Sequence, residues 1–274
     1  MSAIIWGACT AHTAAMLRVP PTGDDAVRAQ RVFDGFASLN RSLLEARPDV
    51  LVVIATDHFQ SFSYDAVPIF AIGHGARFET WGEFGSPHAS YAGIEELCEA
   101  VLSTMIEAGF DVVSVAEMRL DHSFSCPLGF ILKDAAIPIL PVFVNCNVPP
   151  LPTLARSCAF GRRLGQVLRA QAIAPRVAIL GTGGLSHWVG MPETGLINQR
   201  FDRRFLELFE SGEIDTLARW DADRIVTEAG NGAAEVRNWL IVAAALDGAR
   251  AHRLAYEPVG AWKTGIALVR MACV

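Results

Sequence analysis

The chain lacks the features that mark several protein classes. Its six cysteines are widely spaced and form no C-x-x-C pair, so we interpret them as reduced thiols that are mostly buried. No apolar run reaches the roughly 18 residues that a membrane-spanning helix needs. The N-terminal stretch MSAIIWGACTAH has no basic residue before Arg18, unlike a secretory signal peptide. We therefore expect a cytoplasmic protein with no membrane partner.

Basic residues are also scarce. The 274 residues include 23 Lys and Arg against 29 Asp and Glu, for a net charge of −6, which excludes the basic surface that nucleic-acid binding requires. Charged residues make up 19% and hydrophobic residues 51%, a composition typical of a folded globular protein. The sequence has no internal repeat and no low-complexity linker. We expect a single domain that spans residues 1–274.

Short apolar runs rich in β-branched residues alternate with helical patterns. The predicted strands are Ala3–Ala8, Val50–Ala55, Asp111–Val115, Ile137–Phe143, Arg176–Leu180 and the closing segment Trp262–Met271. The predicted helices are Asp24–Glu45, Tyr91–Ala108, Arg156–Gln171, Phe201–Glu210 and one or two within Asp221–Leu246. This alternation predicts an α/β fold with a mixed central sheet flanked by helices.

Four of the seven histidines come directly after an apolar stretch. His12, His58 and His187 each follow a predicted strand, and His122 lies in LDHSFSCP. Ligands of α/β proteins bind in the crevice beyond the carboxyl ends of the strands, so we expect the active site there. Taken singly, a histidine after a strand is more often a capping or packing residue than a ligand.

Glu235 adds a carboxylate to this set. It lies in GAAEVRNW among residues that are expected to be buried, and a buried carboxylate needs a partner such as a metal ion. Two histidines with one carboxylate suit non-haem Fe(II) and O₂ chemistry. The spacing alone leaves many other triples open, and an ordinary solvated helix residue is the alternative interpretation of Glu235.

Five sequence blocks together resemble one family. They are His12 after the first strand, Asp57–Gly73, Leu120–Leu128, Gly181–Trp188 and Gly232–Leu240. In this order they are similar to the class III extradiol ring-cleavage dioxygenases, the superfamily of protocatechuate 4,5-dioxygenase and 2,3-dihydroxyphenylpropionate dioxygenase. The block AHTAAM departs from the family pattern, in which a serine often precedes this histidine and a proline follows soon after.

The resemblance implies a role for each of the five candidate residues. His12, His58 and Glu235 would bind Fe(II), His187 would be the acid–base residue, and His122 would contact substrate or bound oxygen. The implied reaction inserts both atoms of O₂ into a catechol-type ring, in the catabolism of aromatic compounds. The substrate would carry a polar substituent, as in protocatechuate, gallate, methylgallate or a dihydroxyphenyl acid. A homo-oligomer is expected, and some relatives have a small partner subunit.

Other residues near the blocks allow two interpretations each. Asp57 either orients His58 or caps a turn. Phe59 and Trp188 are expected in the core rather than around a substrate ring, and Arg237 on the surface rather than at a substrate carboxylate. His74, His88 and His252 have no motif around them and are expected to be structural or exposed.

Three alternative functions remain open from the sequence. An aminophenol is a second substrate class, because its ortho amine and hydroxyl also chelate iron. Three protein ligands with a water also suit a zinc hydrolase. A metal-binding protein without catalytic activity is the third alternative, although such a protein would need neither His122 nor His187.

Overall fold

The computed structural model describes residues 2–133 and 135–273. Its strands are β1 (Ala3–Thr10), β2 (Val50–Ala55), β3 (Phe70–His74), β4 (Arg77–Glu79), β5 (Ser90–Ala92), β6 (Val112–Ala116), β7 (Ile139–Val144), β8 (Arg176–Thr182), β9 (Ala251–Val259) and β10 (Thr264–Met271). Its helices are α1 (Ala15–Arg18), α2 (Asp24–Ala46), α3 (Glu95–Glu107), α4 (His122–Ile131), α5 (Leu154–Ala170), α6 (Gln199–Glu210), α7 (Ile214–Ala218), α8 (Ala222–Ala229) and α9 (Val236–Ala245). Short 3₁₀ turns cover Glu83–Gly85, Asn231–Glu235 and Gly260–Trp262.

Eight strands form one mixed sheet in the order β6-β3-β7-β2-β8-β1-β10-β9. The four central strands β7, β2, β8 and β1 run parallel, while β10 and β9 are antiparallel additions at one side. Every residue of β2 and β7 is buried, as expected for strands covered on both faces. The carboxyl ends of the central strands therefore meet at a single edge of the sheet.

Helices flank this sheet. Helix α2 packs against α4 and against β1, β9 and β10, while α9 contacts β1, β2 and β8 and is covered by α5. The prediction of a single α/β domain with a mixed sheet and flanking helices is confirmed. No helix within the described ranges is both long enough and apolar enough to cross a membrane.

Several elements differ from the sequence prediction. The helix predicted from Tyr91 begins instead at Glu95, because Ser90–Ala92 pairs with β4 as a strand. Strands β3 and β9 were not predicted. Neither was α4, which contains Pro127, since proline inside a segment normally argues against a helix. The burial of all but two of the ten α4 residues stabilises the helix.

The close contact between α5 and α9 fixes the position of α9. A Cβ atom on Gly161 would lie 2.3 Å from the Ile241 carbonyl oxygen, and one on Gly165 would lie 2.4 Å from that of Ala245. Only glycine allows the two backbones to approach this closely. Because α9 begins directly after Glu235, this packing sets the position of that carboxylate.

Candidate active site and metal centre

The fold brings the five predicted site residues into one cavity. His12, His58 and His187 follow β1, β2 and β8, which are neighbours in the sheet. His122 is the first residue of α4, and Glu235 ends the 3₁₀ turn before α9. All five side chains line a cavity of about 540 Å³. Its position beyond the carboxyl ends of the parallel strands is the usual ligand position of an α/β sheet.

Glu235 has one carboxylate oxygen that lacks a hydrogen-bond partner within the described residues. Its Oε2 accepts a hydrogen bond of 2.7 Å from the Gly184 N–H. Its Oε1 is buried and lies 3.5 Å from Nε2 of His58 and 3.9 Å from Nε2 of His12. Burial alone would raise the pKa of Glu235, but the neighbouring histidines outweigh it and lower the pKa to about 2. An ionised, buried oxygen of this kind requires a cation.

The two facing histidines present ring nitrogens suited to a metal. Burial lowers the pKa of His12 to about 3, so its imidazole is neutral near pH 7. Nδ1 of His58 lies 2.8 Å from Oδ2 of Asp121; because a carboxylate only accepts, Nδ1 carries the hydrogen. Burial opposes protonation of His58, but the hydrogen bond to Asp121 and the negative charges of Asp121 and Glu235 hold its pKa well above the usual value. Because Nδ1 already carries a hydrogen, a metal ion at His58 would displace the proton from Nε2.

Asp121 is the residue that orients His58. One oxygen accepts the His58 Nδ1–H, and the other caps α4 by accepting the Ser123 N–H at 3.0 Å. Asp57 accepts hydrogen bonds of 3.0 Å from the backbone N–H groups of residues 60–62. Of the two interpretations of Asp57, the structure therefore favours the turn cap. The sequence did not indicate the contact between Asp121 and His58.

We expect Asp121→Asn to weaken metal binding by about 10–100-fold, because an amide holds the ring of His58 less firmly than a carboxylate and provides no charge. Asp57→Asn is the matched control, since Asp57 touches the backbone of residues 60–62 and not the His58 ring. Metal affinity is measured by competition with a chelating dye. Equal affinity losses in the two variants would contradict the assignment of Asp121.

The ring of His187 is held between two glycines. A Cβ atom on Gly184 would lie 2.5 Å from its Cε1, and one on Gly232 would lie 2.0 Å from its Nε2. Its Nδ1 lies 3.1 Å from the Leu185 carbonyl oxygen; since a carbonyl only accepts, Nδ1 carries the hydrogen and Nε2 has the free lone pair. Burial lowers the pKa of His187. The residue is therefore a neutral imidazole whose Nε2 is able to accept a proton.

His122 is anchored by a carboxylate that sequence reasoning missed. Glu83 accepts hydrogen bonds from the backbone N–H of His122 and from its Nδ1, the latter at 3.0 Å. His12, His58 and His122 each offer a ring nitrogen within 4.8 Å of the others. The three imidazoles form a second set with the spacing of metal ligands. No sequence signal connects Glu83 to this site, because its turn at Glu83–Gly85 lies 39 residues before His122.

Arg237 was predicted on the surface, and this prediction is wrong. Its side chain is buried and donates hydrogen bonds to the carbonyl oxygens of Pro152 at 2.7 Å and Ala234 at 2.9 Å. Arg237 does not line the cavity. Its guanidinium links the turn that ends at Glu235 to the segment just before α5, and these two hydrogen bonds offset the cost of its burial.

The predictions for the remaining aromatic residues, cysteines and histidines have different outcomes. Trp188 is buried outside the cavity lining, as expected, whereas Phe59 lines the cavity and is 40% exposed, so its prediction as a core residue is wrong. Five of the six cysteines are buried and all six are unpaired, which confirms that most of the thiols are buried. His88 and His252 are exposed and His74 is half-buried.

Comparison with known proteins identifies the family. Residues 7–267 match the family model described as the catalytic LigB subunit of aromatic ring-opening dioxygenase. The chain therefore belongs to this family, and it is an extradiol ring-cleavage dioxygenase.

Two relatives and one solved structure are similar to the chain. A 2,3-dihydroxyphenylpropionate/2,3-dihydroxicinnamic acid 1,2-dioxygenase of Photorhabdus laumondii is 28% identical, over 95% of each chain. A relative with the same name and the suffix 2, from Pseudomonas putida, is 34% identical over 72% of this chain and 61% of its own. An uncharacterized protein of Escherichia coli K12 has a TM-score of 0.58 at 15% identity, covering 98% of this chain and 100% of that one, which supports the fold alone.

Proposed function

We propose that the protein is an Fe(II)-dependent dioxygenase that cleaves a substituted catechol beside its two hydroxyl groups, with His12, His58 and Glu235 as the iron ligands. The observation that carries this proposal is the buried Glu235 Oε1, which has no hydrogen-bond partner in the described chain and faces the Nε2 atoms of both histidines. A set of two imidazoles and one carboxylate is the ligand type of non-haem Fe(II) oxygenases.

Fe(II) at these residues would supply the electron transfer that allows O₂ to react with a bound catechol. His122 is the competing third ligand, since its ring nitrogen lies within 4.8 Å of those of His12 and His58. We favour Glu235 because its buried Oε1 lies 3.5 Å from Nε2 of His58 and 3.9 Å from Nε2 of His12, and because a carboxylate brings the negative charge that a third imidazole lacks. The Oε1 of Glu235 has no hydrogen-bond partner among the described residues.

We assign proton removal from the catechol hydroxyl to Nε2 of His187. The hydrogen bond from Nδ1 to the Leu185 carbonyl leaves Nε2 as the acceptor, and burial lowers the pKa so that the imidazole is neutral near pH 7. A positioned base of this kind contributes about 10²–10⁴-fold to a rate. We assign the later proton donation to His122, where the Glu83 carboxylate is placed to accept the Nδ1–H of an imidazolium.

The names of the relatives support a catechol that carries a side chain, of the dihydroxyphenyl-acid type. A ring bearing an ortho amine and a hydroxyl is the second substrate candidate, because this pair of groups also chelates iron.

The test is a panel of catechols and 2-aminophenol given to protein loaded anaerobically with Fe(II) or with Zn²⁺. We expect the iron form to take up one O₂ per substrate, to form a yellow ring-opened product and to incorporate both oxygen atoms of ¹⁸O₂. The zinc form is expected to be inactive. Absence of O₂ uptake with every substrate would contradict the assigned reaction, and hydrolytic activity of the zinc form would favour the hydrolase instead.

A further inference from the structure

Four apolar side chains are exposed to solvent around the mouth of the active-site cavity. Phe59, Tyr64, Phe84 and Val189, here called the apolar collar, all line the cavity and are 40%, 75%, 50% and 56% exposed. The rings of Phe59 and Tyr64 stack at a centroid distance of 4.6 Å. An apolar patch that remains exposed in the folded chain is typical of a surface that contacts a ligand or partner.

The backbone of the collar is strained at two positions. Phe59 has a φ of 62° and Phe84 a φ of 51°, in the left-handed region that bulky residues rarely adopt. Such strain persists only where the surrounding structure enforces it, and it is concentrated at ligand sites. Both phenyl groups line the cavity, and neither is buried in the core.

Apart from the four histidines of the site, the cavity lining offers no basic side chain to a charged substituent. Among the lining residues, all of them in the described part of the chain, there is no lysine or arginine. Two neutral amides line it, but both are already bonded to the backbone. Asn147 donates to the Asp57 carbonyl oxygen at 2.8 Å, and Asn231 pairs with the N–H and carbonyl of Val189 at 2.9 and 3.0 Å.

We propose that the apolar collar binds the hydrocarbon part of the ring substituent, so that specificity depends on the apolar area of the substituent and not on a terminal carboxylate. The inference rests on the proposed catechol cleavage and narrows its substrate class to catechols with an alkyl or aryl side chain. The cavity of about 540 Å³ has room for such a group, since pockets of about 300–1,000 Å³ hold ligands larger than a single ring.

Three substrates separate the effect of the substituent's apolar area from the effect of its charge: catechol, 3-propylcatechol and 2,3-dihydroxyphenylpropionate. The last two have side chains of the same length, which end in a methyl group in one compound and in a carboxylate in the other. Anaerobic binding to the iron-loaded protein and kcat/KM are both measured. We expect the propyl compound to exceed catechol by at least about tenfold in both quantities, as expected for a buried alkyl chain. The acid is expected to be no better than the propyl compound.

Variants of the collar test the residues themselves. Tyr64→Ala and Phe84→Ala are expected to reduce the preference for 3-propylcatechol over catechol by about fivefold or more, because apolar contact area is lost. Ile106→Ala, which removes a 50% exposed side chain on α3 outside the cavity lining, is the matched control and is expected to leave that preference unchanged.

Two results would overturn the inference: tighter binding of the acid than of 3-propylcatechol by tenfold or more, or an unchanged preference in both collar variants. If no catechol is cleaved while 3-propylcatechol still binds most tightly, the proposed reaction fails and the collar assignment stands. The binding measurement thus decides the collar independently of turnover.

Discussion

Replacing Glu235 by alanine is expected to yield a folded protein that retains less than about a tenth of the iron bound by the wild type. The change removes the carboxylate that faces both His12 and His58. Loss of a direct ligand should exceed the roughly 10–100-fold loss of affinity that follows removal of a residue behind a ligand. Iron is measured by mass spectrometry after anaerobic loading and desalting, and catechol cleavage is expected to fall with it.

Glu235→Gln separates metal loss from misfolding. Its amide oxygen is able to accept the Gly184 N–H that Glu235 now binds at 2.7 Å, so the fold and Tm are expected to be close to wild type while iron is still lost. His122→Ala completes the set, because its ring nitrogen belongs to the alternative group of three histidines. Retention of iron in Glu235→Gln with loss in His122→Ala would show that the three histidines are the ligands.

His187→Ala is expected to keep its iron and to lose about 10²–10⁴-fold in kcat, the usual contribution of a positioned general base. The residue lies between Gly184 and Gly232 and contacts no other histidine of the site through a hydrogen bond in the described structure. Added imidazole is expected to restore part of the activity, since the space left by the ring is bounded by two glycines.

His88→Ala is the control, because His88 is exposed and lies outside the cavity lining; its iron content and kcat are expected to match the wild type. Single-turnover measurements under O₂ separate the proton-transfer step from product release. An iron-free His187→Ala protein would mean that His187 is a ligand and that the set of His12, His58 and Glu235 is wrong.

Much of the site was predictable from the sequence because apolar runs indicate where the buried strands end. The runs AIIWGA, VLVVIA and RVAIL predicted three buried strands, and β1, β2 and β8 begin at the predicted residues. Parallel strands place their carboxyl ends at the same edge, so histidines shortly after each strand are brought together. The apolar neighbours of Glu235 similarly indicated a buried carboxylate.

The partners of these residues could not be predicted in the same way. Asp121 binds His58 across 63 residues of sequence and Glu83 binds His122 across 39. Neither contact leaves a local pattern, because each depends on how separate loops pack beyond the sheet. The prediction of a surface position for Arg237 was wrong for a related reason. A charged residue at the start of a helix is usually exposed to solvent, and only the packed structure provides the carbonyl oxygens that Arg237 binds.

The sequence by itself determined the α/β class, the strand ends and the residue types that gather there, since hydrophobic periodicity and strand direction are local properties of the chain. Only the tertiary structure decided which carboxylate orients which histidine, which nitrogen of His187 is free, and that the cavity mouth is apolar, with no lysine or arginine among the described lining residues. Those properties depend on distances between segments that are remote in sequence, and burial sets the charge state of each group only after the chain has folded.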